Sequence, residues 1–225
     1  MEDQRLLSPS PSDGPAQRFG KGLGLKAIFG RNETEHSEVS QPSSASTPAP
    51  DWANPAVIGL MGFGMTTMVT GLSNVSSLNI NASPVLALAL IWGGTAQLLA
   101  GFVALRKGNI FAGSAFTGYG SFWIALFIMQ FIVGGVAGND LLVFWFVWTL
   151  FTFTFLINSW KHGPGLFVVF LLLFVAFILL CIVADGYTSI QSAAGWEIFL
   201  DGLVAWYVAT GIEVEAHYGR KILPF

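Results

Sequence analysis

The strongest constraint in this chain is the succession of long apolar runs that begins near residue 55. Each approaches the roughly 20 residues that an α-helix needs to cross about 30 Å of hydrocarbon. Six can be counted, over 56–75, 85–105, 115–137, 141–160, 165–184 and 196–215. The joints between them, such as SSLNINASP, RKGNIFAGS, KHGPG and DGYTSIQSAAG, have turn-like composition. Neither strands nor open loops can face lipid with their backbone groups unpaired, so the pattern predicts an all-α membrane protein with six transmembrane helices over residues 51–225. Composition agrees: 53% of the residues are hydrophobic and only 10% charged, far less charge than a soluble domain carries.

The net charge of -3 conceals a segregation by position. Every lysine and arginine falls in the first fifty residues, in the second joint (Arg106, Lys107), in the fourth (Lys161) or after the last run (Arg220, Lys221). The first, third and fifth joints hold none, which is the positive-inside pattern and predicts both termini in the cytoplasm, with the plasma membrane as the expected location. Residues 1–50, rich in Ser, Pro and Gly, cannot bury enough apolar surface to offset their ordering entropy and are expected to be a disordered cytoplasmic tail. Within that tail KGLGLKAIFG (21–30) is either a linker or a patch that lies on an anionic membrane surface. No signal peptide is expected, because no apolar run with a cleavage pattern precedes the first long one. The NVS and NAS triplets at Asn74 and Asn81 sit too close to the membrane to read as glycosylation sites, and the single cysteine, Cys181, reads as filler in an apolar run.

Charge is nearly absent inside the runs. Only the sixth holds carboxylates, Glu197 and Asp201 one turn apart and then Glu213 and Glu215, and the cost of a charge at mid-bilayer places all four within reach of water. Glu197 and Asp201 are also the candidates for proton exchange at the outer mouth. No metal-ligand cluster, nucleophile with its base, or phosphate-cradling loop occurs, and His36, His162 and His217 are far apart, so neither an enzyme, a cofactor nor a nucleic-acid partner is expected. What does occur at membrane depth is a set of small and uncharged polar residues: Thr66, Thr67, Thr70, Thr95, Gln97, Thr117, Tyr119, Ser121, Thr152 and Thr154. They serve helix contacts, a conduit for a small polar solute, or both.

The first run opens NPAVIGLMGFGMTT (54–67), with Asn54 as a helix cap, Pro55 at the first helical position and glycines that keep the helix slim. This stretch resembles the signature of the acetate uptake transporter family, which includes bacterial succinate-acetate permeases and fungal acetate and ammonia-export proteins. GGTAQLLAGFVALRKGN, AFTGYGSFW and YGRKILP resemble family segments in the same order, so the likeness covers about residues 50–225. It implies six transmembrane helices around a pore in each protomer, assembly into hexamers, and uptake of acetate, succinate or other short carboxylates that is coupled to protons or channel-like. It also implies an apolar constriction made by Phe63, Tyr119 and Leu173, the last placed by counting from Lys161. Asn54 and Gln97 match family positions, and Thr66 and Thr67 follow as polar pathway residues. The sequence departs from the family at Val57 and Ile58, at Ile212 before Glu213, and in its unusually aromatic fourth run.

An anion loses its hydration at an apolar neck unless dipoles replace the water or a proton neutralises it. The expected mechanism gathers acetate through threonine hydroxyls and backbone N–H groups, with the Tyr119 hydroxyl donating to the carboxylate at the neck. An ammonia or small neutral-solute channel, and a non-transporting membrane scaffold, are the alternatives.

Overall fold

The computed structural model describes residues 52–225. The tail, with its basic and apolar patch at 21–30, lies outside the described residues. Among those described there are six long helices and no strand: α1 Ala56–Asn74, α2 Ser83–Arg106, α3 Ile110–Ile132, α4 Asn139–His162, α5 Pro164–Ala184 and α6 Gln191–Tyr218. The first five are long and apolar enough to cross a membrane. At 28 residues α6 has the length as well, about 42 Å, but it carries the four carboxylates.

Two helices begin or end away from their expected positions, for local reasons. α3 starts at Ile110 rather than 115 because the Asn109 carboxamide accepts from the Ala112 N–H at 3.0 Å, a cap inside what reads as a turn. It stops at Ile132 rather than 137 because Gly134 and Gly135 adopt φ values of 88° and 96°. α6 starts at Gln191, directly after a short 3-10 turn at Thr188–Ile190, and ends where Gly219 at φ 68° donates to the Glu215 carbonyl at 2.9 Å.

α2 is not a uniform helix. Ile91–Ala96 forms a π-helical turn, and the Thr95 hydroxyl donates to the Leu90 carbonyl at 2.8 Å. The turn presents the Trp92 carbonyl so closely to α1 that a methyl built on Gly62 would lie 2.7 Å from it.

Neighbours in sequence pack on one another, α3 and α4 through side chains alone, and α1 also packs on α6. That last seam is the tightest. A methyl on Gly64 would fall 2.7 Å from the Gly202 carbonyl oxygen, and one on Gly71 would fall 2.6 Å from that of Gly195. Two glycine pairs, two turns apart, therefore bring the backbones of α1 and α6 into direct contact, the kind of dispersion-driven packing that replaces the hydrophobic effect between helices in lipid. The α3–α4 seam is wide by contrast. It is filled by aromatic rings, with Phe151 lying across Gly118, where an added methyl would meet the ring at 2.2 Å.

Large apolar side chains also face outward. On α4, Val143, Phe146, Val147, Leu150, Phe153 and Ile157 are exposed at helical spacing. A stripe of that size is unsuited to water and suited to lipid.

Candidate functional site

Three cavities lie in series along the bundle. The largest, about 560 Å³, is bounded by residues at the helix ends opposite the lysines and arginines, including Asn74, Ala137, Gly186 and Thr188. Its inner wall, made of Thr70, Leu126, Trp145 and Leu180, is shared with a second cavity of about 40 Å³. That cavity shares Phe63 and Leu173 with a third of about 20 Å³, lined also by Leu60, Gln97, Phe116 and Tyr119. A cavity needs about 10–15 Å³ of such volume to hold one water molecule, so the innermost space has room for about one and forms a narrow neck. Among the described residues, none that lines the three cavities is charged.

Phe63, Tyr119 and Leu173 come from α1, α3 and α5 and meet at this neck, all buried to 5% exposure or less. The Phe63 and Tyr119 rings are 5.7 Å apart, tilted by 54°. Tyr119 is further enclosed by Trp148 (6.3 Å), Phe151 (5.2 Å) and Phe155 (6.2 Å) of α4 and by Phe170 (6.3 Å) of α5. Its hydroxyl is not free, for it lies 2.9 Å from the Thr152 hydroxyl.

The other sequence-derived candidates divide. Thr67 lines the middle cavity and Gln97 the inner one, and Thr67 Oγ1 and Gln97 Oε1 have no hydrogen-bond partner among the described residues. Thr66 is fully buried but faces away from the cavities, toward the π turn and Trp123, since a methyl on Gly93 would meet its Oγ1 at 2.6 Å. Asn54 lies apart from all of them. It is exposed, and its side chain accepts from the Ala56 N–H at 3.0 Å.

The expectation that all four carboxylates stay within reach of water holds for Glu213 and Glu215, which are exposed, and fails for the other two. Asp201 is fully buried, and the carboxylate oxygens of both Asp201 and Glu197 are shielded and unpartnered among the described residues. The cause is the glycine seam, which draws α6 inward along its outer half. Because Gly202 faces Gly64 and Gly195 faces Gly71, the adjacent Asp201 stands level with Met65, between the depths of Phe63 and Thr67. The rings of α4 are the part of the site that sequence alone does not reveal. Their abundance is plain, but only the α3–α4 pairing gathers them around Tyr119.

The outward apolar stripes and helix lengths define an integral membrane protein, and the uncharged cavities in series set it among membrane proteins that handle small solutes. The sequence pattern of the GPR1/FUN34/yaaH family matches residues 37–217, and the chain belongs to that family. It is 39% identical over 178 residues to the succinate-acetate/proton symporter SatP of Escherichia coli, covering 76% of this chain and 94% of the relative. It is 32% identical over 197 residues to ammonia transport outward protein 2 of Saccharomyces cerevisiae, covering 82% and 70%. The solved structure of the bacterial acetate channel SatP superposes with a TM-score of 0.74 at 37% identity, over 77% of this chain and 99% of that one.

Proposed function

We propose that this protein carries acetate and related short carboxylates, succinate among its candidates, across the plasma membrane. α6 serves as the sixth crossing around a pore in each protomer, the protomers assemble as hexamers, and both termini lie in the cytoplasm. The observation that carries this reading is the meeting of Phe63, Tyr119 and Leu173 beneath a large uncharged cavity. A solute enters the cavity on the side without cations, passes Thr70 and Thr67, and is stopped at the neck. Passage requires Phe63 or Leu173 to turn aside, because a space of about 20 Å³ is too small for a molecule of four heavy atoms.

At the neck the carboxylate exchanges its hydration for the few dipoles present, the Tyr119 hydroxyl and the Gln97 amide. The paucity of those dipoles favours movement with a proton, and Asp201, with Glu197 one turn outward, is the group that exchanges it. Asn54 acts at the cytoplasmic end by holding the start of α1, and Thr66 by packing α1 against the π turn of α2. The direct test is uptake of labelled acetate by liposomes containing the purified protein, with and without an imposed proton gradient. Uptake at the rate of empty liposomes would end this proposal.

A second reading has an observation of its own. An uncharged neck admits small neutral molecules as readily as a neutralised acid, and one relative is named for ammonia transport. Methylammonium uptake that acetate does not inhibit, in the same liposomes, would favour the neutral-solute channel.

A further inference from the structure

The Tyr119 hydroxyl is one half of a buried relay, and Thr152 is the other. The two oxygens are 2.9 Å apart, and Thr152 Oγ1 also lies 2.8 Å from the carbonyl oxygen of Trp148, one turn before it on α4. A threonine hydroxyl has a single proton, and a carbonyl can only accept. With that proton on Trp148, the contact with Tyr119 is made by the phenol proton, so the order is Tyr119 to Thr152 to Trp148. Thr152 is fully buried, which shields these bonds from solvent. In this arrangement the Tyr119 proton points away from the neck and is withheld from a solute.

The arrangement has a second form. If the Thr152 hydroxyl turns from Trp148 to the phenol oxygen, Tyr119 becomes an acceptor from α4 and its own proton is released toward the cavity that it lines. The Trp148 carbonyl loses nothing essential, because it keeps the helical bond from the Thr152 N–H. The second form has one side-chain bond fewer than the first, and a carboxylate that accepts the freed Tyr119 proton makes up the difference with a charge-assisted bond. Tyr119 itself is held by four aromatic rings of α4 and α5. The choice lies in one rotation about the Cβ–Oγ1 bond of Thr152.

We propose that Thr152 is a positioning residue for solute selection: it withholds the Tyr119 proton from an empty neck and releases it to a carboxylate. This rests on the proposed passage of carboxylates past Tyr119, and it goes further by naming the group that makes their hold at the neck transient. Without the competing acceptor the phenol would donate to a bound carboxylate continuously, and the solute would be held more tightly and leave more slowly.

The test compares Thr152→Val and Thr152→Ser in the full-length protein. Valine matches threonine in shape and leaves the Trp148 carbonyl its backbone partner, so the bundle is kept. In liposomes, Thr152→Val is expected to lower the KM for labelled acetate roughly fivefold, the effect of one neutral hydrogen bond, with a comparable fall in maximal rate, and Thr152→Ser to restore both. In detergent, the Raman signature of the Tyr119 phenol, isolated by difference against Tyr119→Phe, is expected to change from donor to unbonded in Thr152→Val and to stay a donor in Thr152→Ser. A rate that falls while the KM stays constant would mark a merely structural residue and overturn the proposal. So would a phenol signature that Thr152→Val does not alter. If the unsubstituted protein moves no acetate, the carboxylate reading fails and the selective role of Thr152 with it, while the Raman comparison still decides whether the bond exists.

Discussion

Gly202→Ala perturbs the α1–α6 seam by one carbon atom. The added methyl would sit 2.6 Å from the Gly64 carbonyl oxygen and 2.6 Å from the Met68 nitrogen, where ordinary contact begins at 3.4 Å. Both obstacles are backbone, so no rotamer change relieves them, and the two helices must part by about 0.8 Å in an interior packed as densely as a crystal. The second glycine pair, Gly71 with Gly195, resists that separation two turns away. Overpacking of this kind costs about 1–3 kcal/mol. For a protein of this length that corresponds to a fall in melting temperature of about 2–12 °C. Phe63 directly precedes Gly64, so the same displacement reaches the neck and should loosen its selectivity among solutes of different size. Thermal unfolding of the purified protein in detergent is the assay, with Leu203→Ala, on the exposed side of α6, as the control. If Gly202→Ala melts with the unsubstituted protein, α1 and α6 do not meet in the register described, and the depth assigned to Asp201 falls as well.

Three further substitutions have defined outcomes. Asn109→Ala removes the cap of α3 and should destabilise the protein by about 1 kcal/mol, with faster amide exchange confined to the first turn of that helix. Phe63→Ala deletes a shared wall between the cavities of about 20 and 40 Å³. It should admit longer carboxylates such as butyrate in a liposome uptake series, with a stability loss of up to about 3–5 kcal/mol in the melting curve. Asp201→Asn keeps the shape of a buried, unpartnered side chain and should melt no lower than the parent, while uptake loses its response to an imposed proton gradient. An unchanged gradient response would release Asp201 from any part in proton movement.

The helices are legible in the sequence through length and apolarity, which are local properties, and Phe63, Tyr119 and Leu173 through likeness to a family. Properties that depend on which helix lies beside which are not legible. Thr152 stands in sequence as one hydroxyl among many, and only its pairing with a residue 33 positions away separates it from Thr154, whose hydroxyl returns to its own helix at Leu150. Asp201 reads as an interfacial carboxylate until the glycines of α1 and α6 are paired with one another. The π turn at Ile91–Ala96 leaves only two adjacent glycines as its trace, because one added residue per turn does not disturb an all-apolar pattern. The Asn109 cap is legible in principle, being an asparagine three residues before its donor, but the basic and glycine-rich neighbours on its N-terminal side make the segment resemble a longer loop.

Contact between α1 and α6 also orders the events of synthesis. A polypeptide emerges from its N-terminal end, and the last of the described helices to leave the ribosome is the one that the first must find. Until then Gly64 and Gly71 lack the backbone that they meet in the finished bundle. The α1–α6 seam is therefore the last contact of the described bundle to form. The segment that closes this seam lies more than a hundred residues downstream of the glycines it meets, so the tightest contact in the bundle is also among its most distant in sequence.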